Sequence, residues 1–215
     1  MKTIRPILSV PYYAQFESAA HIADYVTGKK SLAHDPYWAN SGAGSPEEYA
    51  YWANRSCGMV CVKTCIEAFG GPVLPLHTWI QRGLAANAYL TEKRGDNTTV
   101  EKGWLHAGLA AVMNNEGLKT KVKAASVEEI VSLLQNGCLV IASVSYEIGT
   151  IDAISHQGGH LVTVIGAQTQ NGNVKSLHLH NPSGRTPALR ENAIIPASRF
   201  QQAFSGRVIV VGKVD

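Results

Sequence analysis

No run of apolar residues approaches the roughly 18 that a membrane-spanning helix needs, so no membrane partner is expected. Charge of one sign is also scarce. The 19 basic and 16 acidic residues leave a formal charge of +3, too small and scattered for a surface that tracks phosphates, so nucleic acid is not expected either. Cysteine is sparse, with four in 215 residues. A chain this long can bury its own core without disulfide staples, so reduced thiols are expected. Internal repeats and low-complexity segments are missing, and a single domain over residues 1–215 is the expectation. The opening "MKTIRPILSVPYYAQ" superficially suggests a signal peptide, yet its apolar run Ile7–Val10 is shorter than a secretory core of roughly 7 to 15 residues. It ends at Pro11 without a small-residue cleavage site, so a soluble, cytoplasmic chain is expected.

What is present falls into two characters. "ILSVPYY", residues 7–13, reads as a short extended segment that Pro11 confines to a sheet edge. Residues 16–55 are turn-rich, with "VTGKKSLAHDP" and "NSGAGSP" around small aromatic patches, and read as a surface insertion. Trp38, Tyr49, Tyr51 and Trp52 within it are expected to pack on the domain, with one wall of a pocket as the alternative. "SCGMVCVKTCIEAFGG" fits a helix with Ser56 as N-cap and Gly70-Gly71 as its stop. Helical patterns recur in "PLHTWIQRGLAANAYL", "GWLHAGLAAVMNNEG" and "SVEEIVSLLQNG", the last with Ser126 and Glu129 in capping-box spacing. The second half then offers "CLVIASVSY", "GHLVTVIGAQ", "VKSLHLHN" and "GRVIVVGKV", runs rich in β-branched residues. Helices followed by strands imply an α+β fold with a largely antiparallel sheet in the C-terminal half.

Three of the four cysteines, Cys57, Cys61 and Cys65, are spaced by four and form one stripe on the expected helix, continued by Phe69. Cys61 and Cys65 read as core, because free cysteine behaves as a small hydrophobe. Cys57 differs. It falls in the first helical turn, where unpaired N–H groups and the positive end of the helix dipole stabilise a thiolate, and Gly58 beside it lets another segment approach closely. A C-x3-C-x3-C series along one helix cannot close a zinc tetrahedron. The spacings of His156 with His160 and of His178 with His180 match no recognised ligand set, so no metal is expected.

A thiolate nucleophile requires a base, and the base an orienter. His160 opens an apolar strand directly after Gly158-Gly159, which keep the backbone open around its ring; a core or surface histidine is the alternative. Asn181 lies at a strand tip before Pro182, where ordinary turn chemistry is the alternative.

Four local pieces, "VPYYAQ", "SCGMVC", "GGHLVTVIGA" and "HNPSG", in that order, resemble the freestanding relatives of cysteine peptidase family 39, papain-fold enzymes related to the double-glycine leader peptidases. The resemblance implies a papain-like cysteine peptidase fold. It implies Cys57 as nucleophile, His160 as base, Asn181 as its orienter and Gln15 as a lining of the oxyanion hole, with no cofactor. The interval from Gln15 to Cys57 is long for this family, giving the 16–55 insertion room to cover the cleft. A plant-papain signature places the nucleophile at the second cysteine, but Cys61 would sit a full turn into the helix, where dipole activation fades and burial raises the thiol pKa.

The function implied is acyl transfer to the Cys57 thiol from a peptide or an acyl substrate, carrier-bound ones included. Hydrolysis of the thioester makes a peptidase; capture by an amine makes an amide-forming acyltransferase. The rivals are a non-catalytic peptide-binding domain that keeps the cleft, and a thiol-rich metal buffer.

Overall fold

The computed structural model describes residues 1–95 and 98–213. A first strand β1 (Lys2–Ile4) precedes the short helix α1 (Ile22–Val26), then α2 (Pro46–Ala53), α3 (Cys57–Ala68) and α4 (Leu76–Ala85). A hairpin of β2 (Tyr89–Lys93) and β3 (Thr99–Trp104) leads into α5 (His106–Asn115), β4 (Leu118–Ala124), α6 (Val127–Gln135) and β5 (Leu139–Val144). The chain closes with β6 (His160–Gln170), β7 (Asn173–His180), β8 (Ala193–Pro196), α7 (Ala197–Ala203) and β9 (Phe204–Lys213). No helix among the described residues is long and apolar enough to cross a membrane.

The main sheet runs β4-β9-β5-β6-β7-β8, with β1 added beside β6, and every neighbouring pair is antiparallel. Both faces of its centre are buried. On one face Val140, Ala142, Val144, Val162 and Val208 pack with Ile130 and Leu134 of α6 and Phe200 of α7. On the other, Leu139, Ile141, Ile209 and Val211 meet Met59, Val62 and Ile66 of α3, Trp79 of α4 and Leu109 of α5. Two-sided burial is why β5 and β9 read as continuous apolar runs rather than as an alternation.

Helix α6 starts as its sequence requires, with Ser126 Oγ accepting from the Glu129 N–H at 3.2 Å and Gly137 just past its end at φ +82°. The Glu129 carboxylate does not close the capping box but pairs with Lys123.

Several expectations are corrected. Residues 7–13 form no strand; the edge strand is Lys2–Ile4, paired with Ala167–Thr169 of β6. Ser56 occupies the position before α3 without capping it, its hydroxyl donating back to Ala53 O at 3.2 Å. Helix and strand are also less segregated than expected, since β2, β3 and β4 lie in the helical half and α7 in the strand half. The edge strand β4 is inconspicuous for a physical reason: Lys119, Lys121 and Lys123 line an edge that must not recruit another chain.

Residues 16–55 enclose a small core of Phe16, Ile22, Tyr25, Leu32, Tyr49 and Ala53. Trp38 packs against it, while Tyr51 and Trp52 stack edge-on and Trp52 meets Tyr89 and Trp104. Its polar anchor is Asp35, 1% exposed. That carboxylate accepts from the Ser18 N–H at 3.0 Å, the Ser18 hydroxyl at 2.5 Å, the Tyr37 N–H at 3.1 Å and the Tyr49 hydroxyl at 2.7 Å. Burial alone would raise its pKa, but the hydrogen bonds from Ser18, Tyr49 and Tyr37 outweigh it and hold the group below the usual carboxylate range. Asp35→Ala leaves these donors unpaired and should cost about 2–4 kcal/mol of stability in a denaturant titration. Because the folded pKa is depressed, the stabilisation is present above the unfolded value of about 3.9 and is lost as pH falls through the folded one. An unchanged midpoint for the variant at pH 7 would contradict this.

Candidate active site

The start of α3 meets the start of β6 because Gly58 lacks a side chain. A Cβ at Gly58 would lie 3.0 Å from Leu109 Cδ1 and 3.1 Å from Leu161 Cδ1, so both leucine side chains would have to give way in a close-packed core. The approach brings the Cys57 thiol into one cleft with His160 and Leu161, whose imidazole and backbone N–H, with that of Gly58, favour its thiolate.

His160 enters β6 after Gly158 and Gly159, at φ +79° and +90°, a left-handed pair that residues with a Cβ would adopt only under strain. The antiparallel register sets Thr163 opposite His180, so the end of β7 runs alongside the start of β6. Asn181 follows directly, its Oδ1 2.9 Å from His160 Nε2. Its backbone is fixed at both ends, N–H to Arg190 O at 2.9 Å and carbonyl to the Tyr12 hydroxyl at 3.2 Å. Asn181 Oδ1 also accepts from the Ser183 N–H at 3.1 Å, and the Ser183 hydroxyl lies 3.3 Å from His160 Nε2. An amide oxygen on Nε2 selects the tautomer protonated there, leaving Nδ1 as the ring's basic nitrogen.

Electrostatics separate the cysteines. Burial pushes the Cys57 thiol up, but the hydrogen bond and positive charge of His160, with the N–H groups of Leu161 and Gly58, bring it below the ordinary value. Burial pushes the His160 imidazole down, and its hydrogen bond to Cys57, the thiolate charge and Asn181 outweigh that to raise it. Each group favours the charged form of the other. Cys61 and Cys65 are buried against Thr163 and raised by desolvation, and Cys138 is likewise raised. All four are free thiols.

Three of the four residues singled out in the sequence therefore come together. The fourth stands apart: Gln15 is tied by its N–H to Pro182 O at 3.0 Å, next to Asn181, but is not among the residues lining the Cys57 cleft. Its Oε1 is buried with no hydrogen-bond partner among the described residues. The cleft has a volume of about 310 Å³ and a wall of Trp104 and Tyr89; from residues 16–55 only Asn54 and Arg55 reach it, so that stretch does not cover it. Tyr12 and Ser183 were missed in the sequence, although both fall inside the motifs quoted above; only the fold shows that each holds Asn181. His156 does not line this cleft; its ring lies 3.2 Å from the Ser145 hydroxyl and 3.3 Å from the Glu147 carboxylate. No group of three or more His, Cys, Asp or Glu among the described residues is placed to hold a metal ion.

The site thus joins a lowered thiol at a helix start, an imidazole and an amide that fixes the ring. The fold that carries them is similar to that of a Bacillus anthracis protein assigned to the C39-like peptidases, whose solved structure matches with a TM-score of 0.59 over 100% of both chains at 14% identity. The peptidase domain of the Streptococcus ComA transporter matches with a TM-score of 0.48 at 14% identity, over 75% of this chain and 93% of that one. A double-glycine motif protease domain from an AMS/PCAT transporter gives 0.49 at 14%, over 74% and 85%. The chain thus resembles the C39-like peptidases in its mixed helix and antiparallel sheet fold. No protein-family model and no curated protein sequence matches it.

Proposed function

We propose that the protein is a papain-like cysteine peptidase, with Cys57 as nucleophile, His160 as general base and acid, and Asn181 as the residue that orients the imidazole. One observation carries the reading: Cys57 and His160 line one cleft, each favouring the charged form of the other, and Asn181 Oδ1 lies 2.9 Å from His160 Nε2. Residues 1–215 are read as one domain with 16–55 as a surface insertion, supported by the separate small core of that stretch. Its four free thiols suit a reducing compartment such as the cytoplasm.

His160 Nδ1 takes the Cys57 proton, giving a thiolate–imidazolium pair. The sulfur attacks the peptide carbonyl, and the carbonyl π electrons become an oxyanion facing the Cys57 backbone N–H. Collapse breaks the C–N bond. The amine leaves with the proton from His160, and the acyl group remains as a thioester on Cys57. Water, deprotonated by His160, then attacks the thioester, releasing a carboxylic acid and the free thiol.

The test is brief alkylation by substoichiometric iodoacetamide across a pH series, with the labelled site mapped by mass spectrometry. Cys57 should label first, and its rate should remain high below the pH at which an ordinary thiol of pKa about 8.5 loses reactivity. Above the raised His160 pKa the imidazolium is lost, so peptide cleavage should fall on the alkaline side while alkylation does not. Equal, slow labelling of Cys57 and Cys138 would overturn the reading.

A further inference from the structure

The cleft beside Cys57 is cationic and its positive charges are unequal. Arg55 is committed, donating from Nε to Glu101 at 2.6 Å and from Nη1 to Tyr51 O at 2.8 Å, with its guanidinium 4.0 Å over the Tyr51 ring. Lys102 is paired with Glu92 at 3.1 Å near the rim. Arg207, on β9, lines the same cleft, is exposed, and has no hydrogen bond or ion pair from its guanidinium to any described residue. Next to it His106, the first residue of α5, keeps its Nε2 buried with no hydrogen-bond partner among the described residues. Burial and the Arg207 charge both lower the His106 pKa, so the ring stays neutral at pH 7 and repels no cation. Within the lining, Arg55, Lys102 and Arg207 face the single carboxylate of Glu101. The Cys57–His160 pair adds no net charge.

An unpaired guanidinium beside an unpartnered imidazole nitrogen, in a half-enclosed cleft shared with the thiol, is a receptor for a carboxylate. We propose that this enzyme selects peptides bearing a carboxylate next to the scissile bond, held by Arg207 and His106. The proposal rests on Cys57 being the nucleophile of this cleft. The apolar wall of Trp104 and Tyr89 accommodates the stem of such a side chain. An acidic side chain and a free terminal carboxylate offer the same chemistry.

Two reagent pairs separate these sources and need no known substrate. Iodoacetate and iodoacetamide differ by a free carboxylate at the reacting carbon; acetyl-Glu and acetyl-Gln chloromethyl ketones differ by a carboxylate on the side chain. The iodoacetate to iodoacetamide rate ratio at Cys57 should fall roughly fivefold in Arg207→Ala and further in Arg207→Glu, stay near wild type in Arg207→Lys, and shrink in 0.5 M salt to about the same degree as a screened pair. If the ketone pair shows the same dependence on Arg207, the recognised group is an acidic side chain; if only the haloacetate pair does, it is a terminal carboxylate. Both ratios unchanged in Arg207→Ala and Arg207→Glu, with Cys57 still the preferred thiol, overturns the proposal alone. Loss of Cys57 preference in the wild type overturns the peptidase reading beneath it.

Discussion

Cys57→Ala is expected to abolish peptide cleavage, lowering it by at least about a thousandfold, with the fold retained. The expectation follows from where the thiol sits. At the first position of α3 alanine is compatible with the helix, and the packing of α3 on β6 is kept by Gly58 against Leu161 and by Cys61 and Cys65 against Thr163. What is removed is the proposed nucleophile, and a His160–Asn181 pair without it would have nothing to activate, so the loss should approach that of the whole unit. Cys61→Ala is the informative comparison, because it shares the stripe but not the chemistry. Burial raises the Cys61 thiol and its hydrogen bond is to Thr163, so its loss should show in the melting temperature and leave turnover largely unchanged. Activity lost with Cys61 and kept without Cys57, both variants folded, would place the nucleophile one turn further on.

The second large effect is expected at Gly184, which touches none of the reacting groups. A Cβ there would lie 1.9 Å from Leu189 O and 2.4 Å from its carbonyl carbon, backbone atoms that no rotamer change can move aside. Gly184 also accepts from Arg190 Nε at 2.8 Å, and Arg190 O in turn receives the Asn181 N–H. Gly184→Ala must therefore open the turn that fixes Asn181. A cost of roughly 2–4 kcal/mol in stability is expected. Displacing the amide by an ångström should also cut the Cys57 alkylation rate and peptide turnover by tens to a hundredfold, with the Cys138 rate unaffected. A variant with wild-type melting temperature and wild-type Cys57 reactivity would show that the turn yields without moving Asn181.

The parts of the site that could be read from the sequence are those whose chemistry is local. Cys57 is distinguished by its place in a helical turn, His160 by the glycine pair before it and Asn181 by the strand ending at a proline. The same holds for α6, whose cap and periodicity agree. What escaped depends on contacts between distant segments. The role of Tyr12 requires residue 181 to lie beside it, and the edge strand β4 resembles a polar linker until β9 pairs with it. Residues 7–13 look like a strand because they are apolar and aromatic, yet Val10 O is used by the His180 ring at 2.9 Å, a side-chain contact in place of a ladder. The uncompensated charge of Arg207 was equally invisible, since balance in composition says nothing about which cations find partners.

The first fifteen residues are stitched to the last third of the chain, through Lys2 to Thr169, Val10 to His180, Tyr12 to Asn181 and Gln15 to Pro182. Contacts of such long sequence separation form late in folding. The lowered thiol of Cys57 therefore depends on His160 and Asn181 being held by contacts that a locally opened chain lacks. The topology makes the proposed chemistry conditional on folding: separating these segments should return Cys57 to the reactivity of an ordinary thiol.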